Sequence, residues 1–180
     1  MSRHTLPHKY GDKTSRDVRA TLLSLLLEFV RETRGLAGVT RIALLGSLLT
    51  TKPFPKDADV LVTMGSDVDF ERLAQLGRKL KGRAQGLNSG ADIFLADASG
   101  VYVGRICHYR KCFPRRACQA RHCGKVAHLN DDLDIVTLSR ELVGRPPLVV
   151  YPVVEAGSPM PPDVEEVLVA PLLKDGRRSA

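Results

Sequence analysis

The 180-residue chain is long enough to bury the core of one domain, and its 43% hydrophobic and 26% charged residues are typical of a globular protein. Its formal net charge of +7 favours polyanionic partners such as RNA, DNA or nucleotide phosphates. Tryptophan is absent and aromatic residues make up only 5%, which argues against a large base-stacking surface. The N-terminus lacks the apolar stretch of a secretory signal, and no apolar run reaches the ~20 residues of a membrane-spanning helix. We therefore expect a cytoplasmic protein with no membrane partner.

The first part of the chain predicts one helix followed by two strands. Apolar residues at helical spacing predict the helix from Thr14 or Ser15 to about Arg34. The segment RIALLG (41–46) predicts a short buried strand, and ADVLVTM (58–64) predicts a second strand.

A second helix and two further strands follow. Ser66 is the predicted cap of a helix over 67–81, and ADIFLA (91–96) and VYVGRI (101–106) predict strands joined by a turn at 97–100. The order helix, strand, strand, helix, strand, strand predicts an α+β fold, with a mixed sheet and helices mainly on one face.

Composition divides the chain into three segments. Residues 1–104 form the predicted core, and 105–145 a Cys/His-rich basic segment packed on it. Residues 146–180 are rich in proline, and we expect them to form an extended, partly disordered tail.

Three carboxylates are expected to converge on this sheet. Asp57 and Asp59 are two residues apart at the start of a strand, so both side chains project to one face. Asp92 lies inside an apolar strand, where a charge is costly unless it is paired or bound to metal. If the two strands are neighbours, the three acids offer the hard oxygen ligands that Mg²⁺ prefers. Two such ions, about 3.5–4 Å apart, can activate a hydroxyl and stabilise leaving pyrophosphate.

Gly46 and Ser47 follow the first strand and supply features that suit a phosphate. Glycine permits a tight turn and the close approach of a phosphate to the backbone. Ser47 offers N–H and hydroxyl donors, and a short helix beginning there would add its N-terminal dipole. A solvated loop ending in acids is the simpler explanation of each feature taken alone.

The combined pattern resembles the DNA polymerase beta-like nucleotidyltransferase superfamily. It consists of Gly-Ser, nine residues, Asp-Ala-Asp-Val and a downstream Ala-Asp-Ile-Phe, and it covers residues 40–96. The resemblance implies Mg²⁺- or Mn²⁺-dependent transfer of a nucleoside monophosphate from an NTP to a hydroxyl. It also implies that Gly46 and Ser47 hold the triphosphate. Asp57 and Asp59 would bind both metals, and Asp92 would complete the catalytic metal site and act on the acceptor hydroxyl.

The chain departs from this superfamily in two respects. Many small members follow Gly-Ser with a small residue and an arginine, whereas this chain has Leu-Leu-Thr at 48–50. Lys52 or Lys56 would then contact the phosphates, although each also suits a solvated loop. Many members carry a helical substrate domain, and none is evident in the sequence.

The basic segment contains a cluster of potential zinc ligands. Its thiols are Cys107, Cys112, Cys118 and Cys123, the only cysteines of the chain. His108 and His122 are adjacent alternatives, and no acidic residue occurs from 98 to 130. Four thiols over this distance predict a structural Zn²⁺ site. Disulfides or buried thiols remain open readings.

Two classes of function are consistent with these features. The first is a nucleotidyltransferase that uses an NTP, with RNA favoured as the acceptor by the positive charge, and a protein hydroxyl or small molecule as alternatives. The second is a non-catalytic protein of the same fold that acts as a zinc-stabilised nucleic-acid- or protein-binding module. An antitoxin-like regulator is a third reading.

Overall fold

The computed structural model describes residues 15–109, 126–132, 140–154 and 159–178. A six-stranded sheet forms its centre. The strands are β1 (Val39–Leu45), β2 (Asp57–Met64), β3 (Gly90–Ala96), β4 (Tyr102–Ile106), β5 (Leu129–Asn130) and β6 (Leu148–Tyr151). Their order across the sheet is β5-β4-β3-β2-β1-β6. The mixed sheet and its accompanying helices confirm the α+β class.

Only β2 and β3 run parallel; the other neighbouring strands are antiparallel. The connection between β2 and β3 contains the helix α2 (Phe70–Gln85), as a parallel crossover requires. The predicted hairpin between the third and fourth strands is also present, with Asp97 to Gly100 at its turn.

Two helices cover one face of the sheet. The helix α1 (Ser15–Thr33) matches the predicted first helix to within one residue at its end, and Leu22, Leu26 and Val30 of its apolar stripe are buried. They join alternate residues of the strands, such as Val60 on β2, in one hydrophobic cluster. This burial, worth about 1.5–3 kcal/mol for each fully buried large side chain, fixes which strand residues face the helices.

The start of α2 differs from the prediction. Ser66 is not the cap, because the helix begins at Phe70 and the Asp69 side chain accepts a hydrogen bond from the N–H of Arg72 at 2.9 Å. The N–H of Gly65 donates to the carbonyl of Gly38 at 2.7 Å, so the chain remains tied to the start of β1 before the helix begins.

The expectation of an extended C-terminal tail is wrong for the residues described. Residues 148–151 form β6 beside β1. The C-terminal helix, residues 162–178, consists of α4 (Pro162–Val164), a π-helical segment (Glu165–Val169) and α5 (Ala170–Arg178). It packs on α1 and buries Val164, Leu168 and Leu172. Prolines stand at its first turn, where a missing N–H costs nothing, so proline content concealed a helical apolar spacing.

Among the residues that the structure describes, fewer lie on the second face of the sheet. Along β2 the residues facing α1 and α2 are buried, whereas Asp57, Asp59 and Leu61 on the opposite face are partly exposed. The short helix α3 (Arg140–Val143) lies on this side of the sheet, where Leu142 shares a cavity lining with Leu61.

Within the described ranges, no helix is both long enough and apolar enough to cross a membrane.

Candidate active site

The parallel pair β2 and β3 places two of the predicted acids side by side. Asp59 and Asp92 are register partners, and Asp57 pairs with Gly90 at the start of both strands. The two strand entries are tied by a 2.6 Å hydrogen bond from the N–H of Gly90 to the carbonyl of Lys56. Asp57 and Asp59 are both partly exposed on one face, as their spacing predicts.

Gly46 lies against the carboxylate of Asp59. Its φ angle is +70°, in the left-handed region, and a Cβ added at this position would lie 2.5 Å from Oδ2 of Asp59. Leu45, the preceding residue, is the register partner of Asp59 across β1 and β2. The Gly-Ser turn and the Asp-x-Asp motif therefore meet in space, and the glycine is required by both backbone conformation and close approach.

Gly46→Ala is expected to lower the free energy of unfolding by about 1–3 kcal/mol, because alanine is strained at positive φ and its methyl group displaces Asp59. Urea denaturation would measure the change. Gly82→Ala is the matched control. Position 82 is exposed on α2, and a Cβ added there would have no atom within 4 Å apart from the backbone of its own helix. Alanine at this position should therefore stabilise the protein slightly. Equal stability of the two variants would contradict this account of Gly46.

A short helix is present at the Gly-Ser pair, as a four-residue 3₁₀ turn (Gly46–Leu49). All four residues are buried, and Ser47 is 6% exposed. The Ser47 carbonyl accepts hydrogen bonds from the N–H and hydroxyl of Thr50, at 3.1 and 2.7 Å. Of the two lysines considered for phosphate contact, Lys56 is exposed and Lys52 is half-buried.

Asp92 forms ion pairs that the sequence reading missed. Its Oδ1 accepts a hydrogen bond from Nζ of Lys81 at 3.2 Å, and its Oδ2 lies 3.7 Å from Nη1 of Arg105. Lys81 lies on α2 between Gly77 and Ala84, both buried, at helical spacing. That position inside an apolar helix face was a usable signal for an internal charge partner.

Arg105 also pairs with a second acid, Asp132, which is buried. Its Nε donates to Oδ2 of Asp132 at 2.7 Å, and the Tyr102 hydroxyl donates to the other carboxylate oxygen at 2.7 Å. Asp132 is only 2% exposed, so it belongs to an internal network. Burial, followed by the hydrogen bond to Asp132, raises the pKa of Tyr102 strongly, which keeps its hydroxyl protonated as a donor.

His108 extends this network at the surface. Its Nε2 lies 3.1 Å from Nζ of Lys81. Burial, followed by the charge of Lys81, lowers the pKa of His108 below its ordinary value of 6.5, although Asp92 opposes the shift.

Replacing Lys81 with glutamine is expected to raise the pKa of His108 because a neighbouring positive charge is removed. NMR titration of the imidazole protons would measure it, with the signal assigned by His108→Gln. Lys79→Gln is the control, since Lys79 pairs with Glu32 at 2.6 Å instead. An unchanged His108 pKa in Lys81→Gln would contradict the contact.

The lowered pKa of His108 also determines how the stability of the protein depends on pH. A base whose folded-state pKa is lowered binds fewer protons in the folded state than in the unfolded state, so the free energy of unfolding decreases as the pH is lowered. The loss begins near 6.5 and is complete below the lowered pKa of His108.

Among the described residues, no three His, Cys, Asp or Glu side chains are arranged as the ligands of a bound metal ion. Asp92 is instead engaged by Lys81 and Arg105. As a donor set, the three acids still fit a hard divalent ion, since they offer carboxylate oxygens at the entry of two paired strands, two of them directly opposite each other.

Arg19 holds the Gly-Ser turn from the opposite side. Its guanidinium donates to the carbonyls of Lys52 and Leu48 at 2.8 and 3.2 Å, and to both carboxylate oxygens of Asp163 at 2.6 and 3.1 Å. Arg19 precedes the buried Leu22 by three residues on the core-facing stripe of α1, and this spacing could have identified it. The link connects the candidate phosphate turn to the C-terminal helix.

Most of the cysteine cluster lies outside the described residues. Cys107 is buried directly after β4. Cys112, Cys118, Cys123 and His122 fall in the range 110–125, so the zinc site stays a prediction.

The described residues form an α+β fold with a mixed sheet. In this sheet the Gly-Ser turn lies against Asp59, an acid of the parallel pair β2 and β3. The chain belongs to the family described as "Family of unknown function (DUF6932)", whose profile matches residues 3–127. No curated protein and no solved structure matches the chain.

Proposed function

We propose that the protein is a divalent-metal-dependent nucleotidyltransferase that moves a nucleoside monophosphate from an NTP to a hydroxyl acceptor. The observation that carries the proposal is the position of Asp59, which is the register partner of Asp92 and lies against Gly46. A triphosphate at the turn and an acceptor beside Asp92 would therefore meet at one place on the sheet.

Asp57, Asp59 and Asp92 are the residues that would hold Mg²⁺ or Mn²⁺. The metal would supply charge neutralisation for the triphosphate and activation of the acceptor hydroxyl. Because Lys81 bonds to Asp92, metal binding competes with Lys81 for this carboxylate. Asp92 would take up the hydroxyl proton as the acceptor oxygen bonds to the α-phosphorus and pyrophosphate departs.

The Gly-Ser turn would bind the triphosphate through backbone N–H groups, and the absence of a side chain at Gly46 lets the Asp59 carboxylate lie beside them. Lys56, which is exposed at the entry of β2, is the better placed of the two lysines to contact a phosphate. Lys52 would act from the same loop.

RNA is the acceptor class that the charge favours, because the chain carries +7 overall and lacks acids from 98 to 130. A protein hydroxyl and a small molecule are the other acceptor classes. Each leaves a different labelled product, so one assay separates them.

Transfer of α-³²P label from each NTP tests the proposal. Wild type and Asp57→Asn are incubated with Mg²⁺ or Mn²⁺ and total RNA, and label is followed on RNA, on the protein and on small molecules in cell extract. Label that appears with wild type and is absent with Asp57→Asn is the expected result. Folded, metal-supplied wild type that labels none of the three acceptors with any NTP would contradict it.

A second candidate function is a non-catalytic binding module stabilised by Zn²⁺. It is favoured by the ion pairs that Lys81 and Arg105 form with Asp92, since they satisfy this acid without any metal. Binding of RNA without NTP, together with about one equivalent of zinc lost in Cys112→Ser, is the outcome expected of the module.

A further inference from the structure

An apolar cavity of about 280 Å³ lies on the same sheet face as the candidate acids. Leu61 and Phe94 form part of its floor and are register partners on β2 and β3. They follow Asp59 and Asp92 by two residues each, so they share a face with these acids at a distance of about 7 Å along the strands.

The cavity is also connected to the Gly-Ser turn. Leu45, which precedes Gly46, belongs to the cavity lining. Arg145 also lines the cavity, and its Nη1 donates to the carbonyl of Leu49, the last residue of the turn, at 3.2 Å. A ligand extending from the cavity to the acids would therefore pass beside both Asp59 and the turn.

The lining suits the ring system of a small molecule. Phe94 and Tyr102 contribute two aromatic rings whose centroids are 6.3 Å apart, and Leu142 and Pro147 add apolar surface opposite the sheet. Its volume lies just below the range of about 300–1,000 Å³ for ligand pockets, which suits one ring system rather than a large ligand. Nucleobases bind such surfaces through their apolar faces.

We infer that this cavity binds the base of a nucleotide whose phosphates extend toward the Gly-Ser turn. The inference rests on the proposed nucleotidyltransferase function and adds a base-binding site to it. One molecule with a flat ring at one end and a triphosphate at the other matches the order along the sheet: apolar cavity, carboxylates, turn. Arg145 adds a positive charge between the cavity and the turn.

Isothermal titration calorimetry of the full chain can measure the binding of the base and the binding of the phosphates separately. The probes are the four ribonucleosides without metal, and inorganic triphosphate with Mg²⁺. We expect at least one nucleoside to bind, and Leu61→Phe, which fills the cavity, to weaken that binding by about tenfold. The affinity for inorganic triphosphate should not change. Leu173→Phe is the control, because Leu173 is exposed on the C-terminal helix.

Leu142→Phe fills the cavity from the opposite wall and replaces the first variant if Leu61→Phe does not fold. The inference is overturned if no nucleoside binds at millimolar concentration, or if a folded cavity variant binds nucleosides as wild type does. Nucleoside binding that depends on the cavity, without label transfer, would instead overturn the proposed transferase and retain the base site. Label transfer by the cavity variants with an unchanged KM for NTP would overturn the base site and retain the proposed transferase.

Discussion

Asp59→Asn is expected to reduce nucleotidyl transfer by about 10³-fold or more while the protein remains folded. Asp59 is the register partner of Asp92 and lies against Gly46, so it is the acid shared by the proposed metal and triphosphate sites. Removing one charged ligand weakens metal binding and the stabilisation of charge in the transition state. Thermal unfolding should show that the variant stays folded without metal, since asparagine has nearly the same size and shape as aspartate. Transfer kinetics with saturating Mg²⁺ would measure the loss.

Asp69→Asn is the control for this substitution. It makes the same chemical change at the N-cap of α2, where asparagine caps as well as aspartate, so activity and stability should both be retained. Unfolding of Asp59→Asn would show that the acid is structural. Full activity in a folded Asp59→Asn would contradict the proposed site.

Local sequence pattern was sufficient for the part of the fold that carries the candidate site. The strands β1 to β4 were predictable as short apolar runs bounded by turn residues, and the helix α1 as a longer segment with helical apolar spacing. The C-terminal helix was not predicted, because the proline content of residues 146–180 was given more weight than the helical spacing of their apolar residues. Val164, Leu168 and Leu172 recur at helical intervals, but prolines surround them in the sequence.

The partners of the acids depend on contacts between distant parts of the chain. Asp92 could be singled out as a charge in an apolar strand, but nothing in its neighbourhood identifies Lys81 on α2 as its partner. Arg105 lies on β4, and Asp132 follows β5. The two residues form an ion pair because β4 and β5 are neighbours in the sheet, which the local sequence does not show. Long charged side chains on otherwise buried helix faces, such as Lys81, are the signal that would have indicated these pairs.

Arg19→Ala is expected to lower the free energy of unfolding by about 2–3 kcal/mol, because it removes a buried guanidinium from the partly exposed Asp163 and leaves two carbonyls without their donor. Arg19→Lys should recover only part of the loss, since an ammonium cannot reproduce the forked contact with Asp163. The hydrogen bond from Arg19 lowers the pKa of Asp163 below its ordinary 3.8. The pair therefore contributes fully above that pH, and the difference between wild type and variant should shrink as pH falls through the lowered pKa.

Arg31→Ala provides a matched control, because it also breaks a pair between α1 and the C-terminal helix. Its partner is Asp175 at 2.7 Å, but Arg31 is 42% exposed, so the expected loss is about 1 kcal/mol or less. Arg19 differs from Arg31 in a second way, since it also holds the carbonyls of Leu48 and Lys52. The Arg19→Lys variant should therefore raise the KM for NTP more than it lowers kcat, and Arg31→Ala should change neither. Equal losses of stability in Arg19→Ala and Arg31→Ala would contradict the expectation that the contacts of the buried Arg19 contribute more to stability than the exposed pair of Arg31.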